Sequence, residues 1–239
     1  MNVDASRSPD IDWSVVTDGY VDHALRSLLT AKRMADRWDN ISEAERITHQ
    51  LILRAFVETG SPPSLDDLCV LLGCPGDQVV AVLRGLSRRD LILLEGDNIP
   101  GAYPFSSLPT RHFVTMGELS IPAICAIDAL GATAMVRREA TMGSRCPACD
   151  DQIAIHLSSD GLAVENASPT TIMIWAGLSD VLGCAANTQC QSMLAFCGAQ
   201  HLREWQAHGN SGPGFRFTPI QAVQAGAAIF RPFLSRRFL

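Results

Sequence analysis

The residues best suited to chemistry lie in Ile124-Cys125-Ala126-Ile127-Asp128-Ala129-Leu130, inside a mostly apolar run from Ile121 to Val136 that carries one cysteine and one carboxylate. Helical spacing sets Cys125 and Asp128 three residues apart, on one face of one turn. A carboxylate in such a run is unfavourable to bury unless it has a partner or a task. A thiol beside a proton-carrying carboxyl is suited to a soft electrophile. The same pattern also fits a core helix with an inert thiol and a satisfied Asp. A second thiol pair stands in Cys146-Pro147-Ala148-Cys149. A Cys-x-x-Cys turn before a strand can be half a zinc site. Cys184, His156 and His201 are its plausible completions, none at a diagnostic spacing, so structural zinc ranks below a plain turn with accessory thiols. A redox pair lacks the flanking βαβ pattern. Cys69, Cys74, Cys184 and Cys197 read as packing residues.

The elements that must position these groups are legible in outline. Residues 1–40 form an N-terminal extension, polar at first, with an amphipathic helix from Tyr20 to Trp38 that serves as a packing helix or dimer arm. Residues 41–96 read as a winged-helix-like module. Ser42 and Glu45 make a capping box, Ser64 opens a short helix ending near Gly73, Pro75-Gly76-Asp77 starts another, and Leu91–Leu94 is a strand. A tight Gly-Cys-Pro-Gly turn joins the second and third helices, as that motif needs. Residues 97–120, with Pro100, Pro104 and Pro109, read as a linker and loop in which Arg111–Met116 is a short strand and Tyr103–Leu108 covers the site. Residues 121–239 read as an α+β domain, a small, mostly antiparallel sheet packed with helices. Its strands are expected at Thr133–Glu139, Gln152–Leu157, Leu162–Asn166 and Thr171–Trp175. Asp180–Gly183 is a turn or short helix, Ala199–His208 a helix, and Pro219–Leu234 a final helix ending near Arg236-Arg237.

Bulk properties narrow the class. The chain has 239 residues, 47% hydrophobic and 18% charged, which fits a globular protein with a real core. A net charge of −6 gives no basic surplus to hold phosphates, which argues against nucleic acid as a partner. Arg84, Arg88 and Arg89 are the cations that would touch a backbone, but Asp66, Asp67, Asp77 and Asp90 nearly cancel them. Met1–Asp10 shows no apolar leader core, and no uncharged run is long enough to span a bilayer. A cytoplasmic protein is expected, with its eight cysteines reduced.

Ile-Cys-Ala-Ile-Asp-Ala-Leu resembles the Cys-Ala-Leu-Asp segment of the bacterial organomercurial (alkylmercury) lyases. The likeness continues, in order, through Thr188-Gln189-Cys190, Phe196, Glu204-Trp205, the Gly-rich approach Gly212–Phe215 and Phe230-Arg231-Pro232-Phe233-Leu234, over roughly residues 42–235. The resemblance implies that Cys125, Cys190 and Asp128 are catalytic, and that Cys146 is a further, non-catalytic thiol. It also implies that the helical module is structural. Ile124, Gln191 and Ser192 depart from the family's usual residues, and are expected to alter the site lining and with it the substrate.

Thiolates are the best protein ligands for the soft Hg(II) ion. The implied reaction is protonolysis of a carbon–mercury bond. Two thiolates grip mercury, and Asp128 takes a proton from a thiol and delivers it to the departing carbon. A carboxyl in an apolar site has a raised pKa, which favours such a carrier. No cofactor is needed beyond external thiols. The bound product would be Hg(II), taken up by a mercuric reductase partner or small thiols. Two other readings remain: the same fold acting on another metal or metalloid centre, and a metal-responsive winged-helix regulator that binds DNA.

Overall fold

The computed structural model describes residues 11–31, 34–179, 181, 183–210 and 212–235. The helical part follows the capping signals closely. Helix α1 spans Gly19–Ala31 and α2 spans Glu43–Thr59. At the start of α2, Ser42 Oγ accepts from Glu45 N–H at 3.2 Å and the Glu45 carboxylate accepts from Ser42 N–H at 2.9 Å. Ser64 and Asp67 repeat that exchange at α3 (Leu65–Leu72). Gly60 and Gly73 close these two helices in left-handed conformations, at φ 79° and 63°. Helix α4 (Gly76–Arg88) meets α3 at 105°, within the range of helix-turn-helix pairs.

The strand pair after α4 is not a free wing. β1 (Ile92–Glu95) pairs with β2 (Asn98–Ala102), which pairs with β3 (Phe105–Ser106). From β3 the sheet continues through β5 (Leu119–Ala123), β4 (His112–Met116), β6 (Ala140–Arg145), β7 (Gln152–Leu157) and β8 (Val164–Ser168). The result is one eight-stranded antiparallel sheet, larger than the small sheet expected. Residues 97–120, expected as linker and loop, therefore supply three of its strands and the start of a fourth. Their prolines sit at strand positions and turns, so composition alone misreads them. A second sheet has β9 (Met173–Gly177) between β10 (Met193–Phe196) and β11 (Gly214–Phe217), also antiparallel.

The apolar run Ile121–Val136 is divided. Its first residues finish β5, and α5 begins at Ala126 and runs to Val136. Thr133–Val136, expected as the start of a strand, are the last turn of α5, which Arg137 ends at φ 53°. Periodicity cannot separate a buried strand from a buried helix in so uniform a run. Alternation served well in β7, where Ile153, Ile155 and Leu157 face the core while Gln152 and His156 face out. Helix α6 covers Ala199–Trp205 and α7 covers Pro219–Ser235. Asp180, Leu182, Arg236 and Arg237 lie outside the described residues.

Every residue of α5 from Ala126 to Met135 is buried, as a helix apolar on all sides requires. Its closest neighbour is α7, and the approach is set by two glycines. A Cβ built on Gly226 would stand 2.7 Å from the Ile127 carbonyl oxygen, and one on Gly131 2.5 Å from the Gly226 oxygen. The N-terminal extension covers the other side of α7. Val21, Ala24, Leu25 and Leu28 of α1 are buried. Asp12 N–H donates to the Ala228 carbonyl at 2.8 Å, and the Asp12 carboxylate pairs with Arg231 at 2.9 Å. Thr17 and Asp18 N–H both donate to Gln224 Oε1, at 3.1 and 3.2 Å.

Because the added methyl meets backbone, Gly226→Ala is expected to force α5 and α7 apart and cost about 1–3 kcal/mol of stability. Urea unfolding of the two proteins checks this. An unchanged midpoint would show that the helices do not depend on that close approach.

Candidate active site

Cys125 is the N-cap of α5, not a residue within it. Its backbone is extended (φ −149°, ψ 178°), and its Sγ accepts from Asp128 N–H at 3.4 Å. The sulfur thus does the work of the usual Ser, Thr or Asp oxygen at a helix start. The i, i+3 relation holds through the cap, so Asp128 in the first turn stands beside the thiol that caps it. Cys190 arrives from the other direction, on a short 3-10 turn, Gln189–Ser192, that leads into β10. The two sulfurs and a carboxylate oxygen of Asp128 all lie within 4.8 Å of one another. All three residues are buried. Met193, at the start of β10, brings its thioether sulfur to 3.6 Å from Cys125 Sγ, a third soft sulfur beside the pair.

A narrow, largely apolar cavity of about 50 Å³ opens onto this cluster. Asp128, Cys190 and Gln189 form one wall, and Ile229, Phe230 and Phe233 of α7 another. The N-terminal extension closes it, with Ile11, Leu25, Leu28, Arg37 and Trp38 all in the lining. Of Tyr103–Leu108, the segment expected to cover the site, Tyr103 lines the cavity and the other five residues do not. Ile124, Gln191 and Ser192, expected to line the site, are absent from its walls. Gln191 instead donates from Nε2 to the Ala186 carbonyl at 2.7 Å, and Ser192 donates from Oγ to the Gln189 carbonyl at 2.9 Å. Both hold the turn that carries Cys190.

Electrostatics favour the neutral, proton-bearing forms. Burial pushes the Asp128 carboxyl up to about 7, against the hydrogen bond from the Cys125 thiol and the pull of the Arg37 guanidinium. Asp128 Oδ2 has no hydrogen-bond partner among the described residues, which leaves a buried oxygen facing the site. Burial, then the hydrogen bond with Cys190 and the Asp128 charge, push the Cys125 thiol well above its ordinary value. For Cys190 the hydrogen bond with Cys125 pulls downward, but burial and the Asp128 and Asp90 carboxyls outweigh it and Arg37, and the net direction is up.

Arg37 is the cation of the site and has no counterpart in the sequence reading. It is 8% exposed, pairs with Asp90, and lies over the Tyr103 ring at 5.5 Å. Tyr103 Oη donates to Asp90 Oδ1 at 3.0 Å, accepts from Ala186 N–H at 2.7 Å, and stands 3.4 Å from Cys184 Sγ. Asp90 Oδ2 also accepts from Ala185 N–H at 3.0 Å. Arg89, one of the cations that would have faced phosphate, points inward. It pairs with Glu45 at 3.2 Å and donates to the carbonyls of Arg37, Asp39 and Asn40. Arg84 and Arg88 are exposed.

The other thiols divide as well. Cys146 and Cys149 lie outside the cavity and group with Cys197 and His201. Of the completions the sequence offers for that pair, His201 is in the group. Cys197, expected as a packing residue, is part of the group, while Cys184 stands beside Tyr103 and His156 bonds Thr141 at 2.9 Å.

The family model described as MerB, alkylmercury lyase, matches residues 105–231. An alkylmercury lyase of Staphylococcus epidermidis is 21% identical over 182 residues, 75% of this chain and 81% of that protein. One from Bacillus cereus is 21% identical over 146 residues, 61% of this chain and 65% of that protein. Among solved structures, the mercury-bound form of MerB2 superposes with a TM-score of 0.71 at 21% identity, over 91% of this chain and 100% of that one. The fold is therefore shared well beyond the matched segment.

The carboxyl shift has a consequence for stability. In the unfolded chain Asp128 titrates near its ordinary value of 3.8, and in the fold near 7. Between these values the folded state holds more protons, so this group's contribution falls as pH rises through that window. Asn at this position is neutral at every pH. The stability of the Asp128→Asn protein relative to its parent is expected to rise from about pH 5 to about pH 8, by on the order of 2–3 kcal/mol. Urea midpoints at both pH values measure it, and a pH-independent gap would mean that the carboxyl is not held protonated.

Proposed function

This chain belongs to the alkylmercury lyase family, and from that premise we propose that it cleaves the carbon–mercury bond of an organomercurial by protonolysis at Cys125, Cys190 and Asp128. The observation that carries the reading is the buried triangle of two sulfurs and one carboxylate oxygen, all within 4.8 Å of one another.

The substrate enters as R–Hg⁺, its organic group against the apolar walls of the cavity. Asp128 receives a proton from one thiol, and that sulfur bonds to mercury. A proton carrier is required here because both thiols are held in their neutral forms by burial. The second sulfur then bonds to the same ion, and the added electron density weakens the carbon–mercury bond. As that bond breaks its electron pair remains on carbon, and Asp128 returns its proton there as general acid. One thiol proton thus ends in the hydrocarbon and the other in solvent. Two S–Hg bonds replace one C–Hg bond, and mercury stays Hg(II) throughout. A carboxyl with pKa about 7 is matched to taking and giving a proton near neutral pH. Arg37 restrains that shift and favours the Cys190 thiolate. No cofactor takes part. External thiols, small or on a mercuric reductase, take Hg(II) from the two sulfurs, and a reducing cytoplasm suits a site built on free thiols.

Hydrocarbon release from an organomercurial in excess small thiol tests the reading. Cys125→Ser and Cys190→Ser are each expected to lose at least ~10³-fold in turnover. Asp128→Asn should lose hydrocarbon release while still retaining Hg(II) through dialysis. Full turnover by either serine protein would overturn the assignment.

A further inference from the structure

The second thiol cluster lies on elements that the proposed reaction does not use. Cys146 directly follows β6 and Cys149 sits in the turn leading to β7, both on the large sheet. Cys197 directly follows β10 and His201 lies in α6, both on the smaller-sheet side. The three sulfurs and a His201 ring nitrogen lie within 4.8 Å of one another, although the two halves are some fifty residues apart in sequence. None of the four lines the cavity at Asp128 and Cys190.

The spacing fits a tetrahedral ion. With Zn–S near 2.3 Å and Zn–N near 2.05 Å, a regular tetrahedron puts two sulfurs about 3.8 Å apart and a sulfur and a nitrogen about 3.6 Å apart. Cys149 and Cys197 Sγ are 3.7 Å apart, and Cys146 Sγ is 3.5 Å from His201 Nδ1. The turn is shaped to aim both of its thiols at one point. Cys146 N–H donates to the Asp151 carbonyl at 3.0 Å and Asp150 N–H donates to the Cys146 carbonyl at 2.9 Å. The backbone N–H groups of Cys197, Ala148 and Cys149 face the Cys146 sulfur, where they would share the charge of a bound thiolate. The Asp151 carboxylate accepts from Cys149 Sγ at 3.3 Å, a contact that ends when that thiol releases its proton to solvent and its sulfur bonds a metal.

We propose that Cys146, Cys149, Cys197 and His201 bind one structural zinc ion that ties the β6–β7 turn to the segment between β10 and α6. Four protein ligands leave no position for water or substrate, the mark of a structural rather than a catalytic centre. Three thiolates and an imidazole suit zinc over the hard cations. The tie has a use in this fold. β10 starts three residues after Cys190, so a clamp at its far end steadies the strand on which the Cys190 turn is mounted. The inference stands apart from the mercury reading, since the two share no ligand.

The test is metal content and cobalt spectroscopy on the whole protein, purified under reducing conditions and exposed to Zn(II). One zinc per chain is expected, and Co(II) in its place should show thiolate-to-cobalt charge transfer and tetrahedral ligand-field bands. The Cys125→Ser/Cys190→Ser protein should keep the zinc. The Cys149→Ser/Cys197→Ser protein should lose it, and His201→Asn should weaken it by more than the ~10–100-fold typical of lost supporting contacts. Circular dichroism establishes that each variant is folded, and Cys149→Ser alone, at an exposed position, serves if the double variant is not. Parent protein that takes up no zinc, or zinc that leaves with Cys125 and Cys190 and not with Cys149 and Cys197, overturns the proposal.

Discussion

A sulfur caps the helix on which this structure is built. The N–H groups at the start of α5 need an acceptor, and Cys125 Sγ supplies one to Asp128 while both are buried. A thiol is a weaker acceptor than the oxygen usually found there, so the helix gives up some terminal stability to place a soft nucleophile at its end. The elements packed around α5 bury that end. The close seat on α7 at Gly131 and Gly226, β10 beyond it, and the extension laid over α7 together make the enclosure.

Burial then sets the chemistry. An isolated carboxylate in so apolar a place would be strongly disfavoured, and here it answers by keeping its proton to about pH 7. The thiols answer in the same direction. Arg37, which pairs with Asp90, opposes the upward push at Asp128 and at Cys190. That pair is itself held by Tyr103 and by the backbone of Ala185, with Arg89 securing the carbonyl end of the Arg37 turn. The N-terminal extension, through Arg37, and the helical module, through Asp90, thus contribute a largely buried ion pair from outside the segment that matches the family model.

The eight cysteines fall into groups with different surroundings. Cys125 and Cys190 stand beside one buried carboxyl, with the Met193 thioether against Cys125. Cys146, Cys149 and Cys197 share an imidazole on the partly exposed side of a turn. The Cys190 turn and Cys197 stand at opposite ends of β10, and the two sets share no residue.

Local chemistry was readable from the chain alone. The capping boxes at Ser42 and Ser64, the alternation in β7, the helical content of α1, α2, α4 and α7, and the pairing of Cys125 with Asp128 all depend on residues within a few positions of one another. Spacing of that kind survives whatever the rest of the chain does. Resemblance to a family added Cys190, which no local pattern would single out. Tertiary structure alone decided the rest. Arg37 became the cation of the site, Cys197 joined Cys146 and Cys149, the prolines of residues 97–120 took places in and between strands, and Gln191 and Ser192 turned away from the cavity. Each of these depends on contacts between segments tens of residues apart, and a side chain's burial, charge state and partners are properties of that enclosure, which periodicity along the chain does not encode.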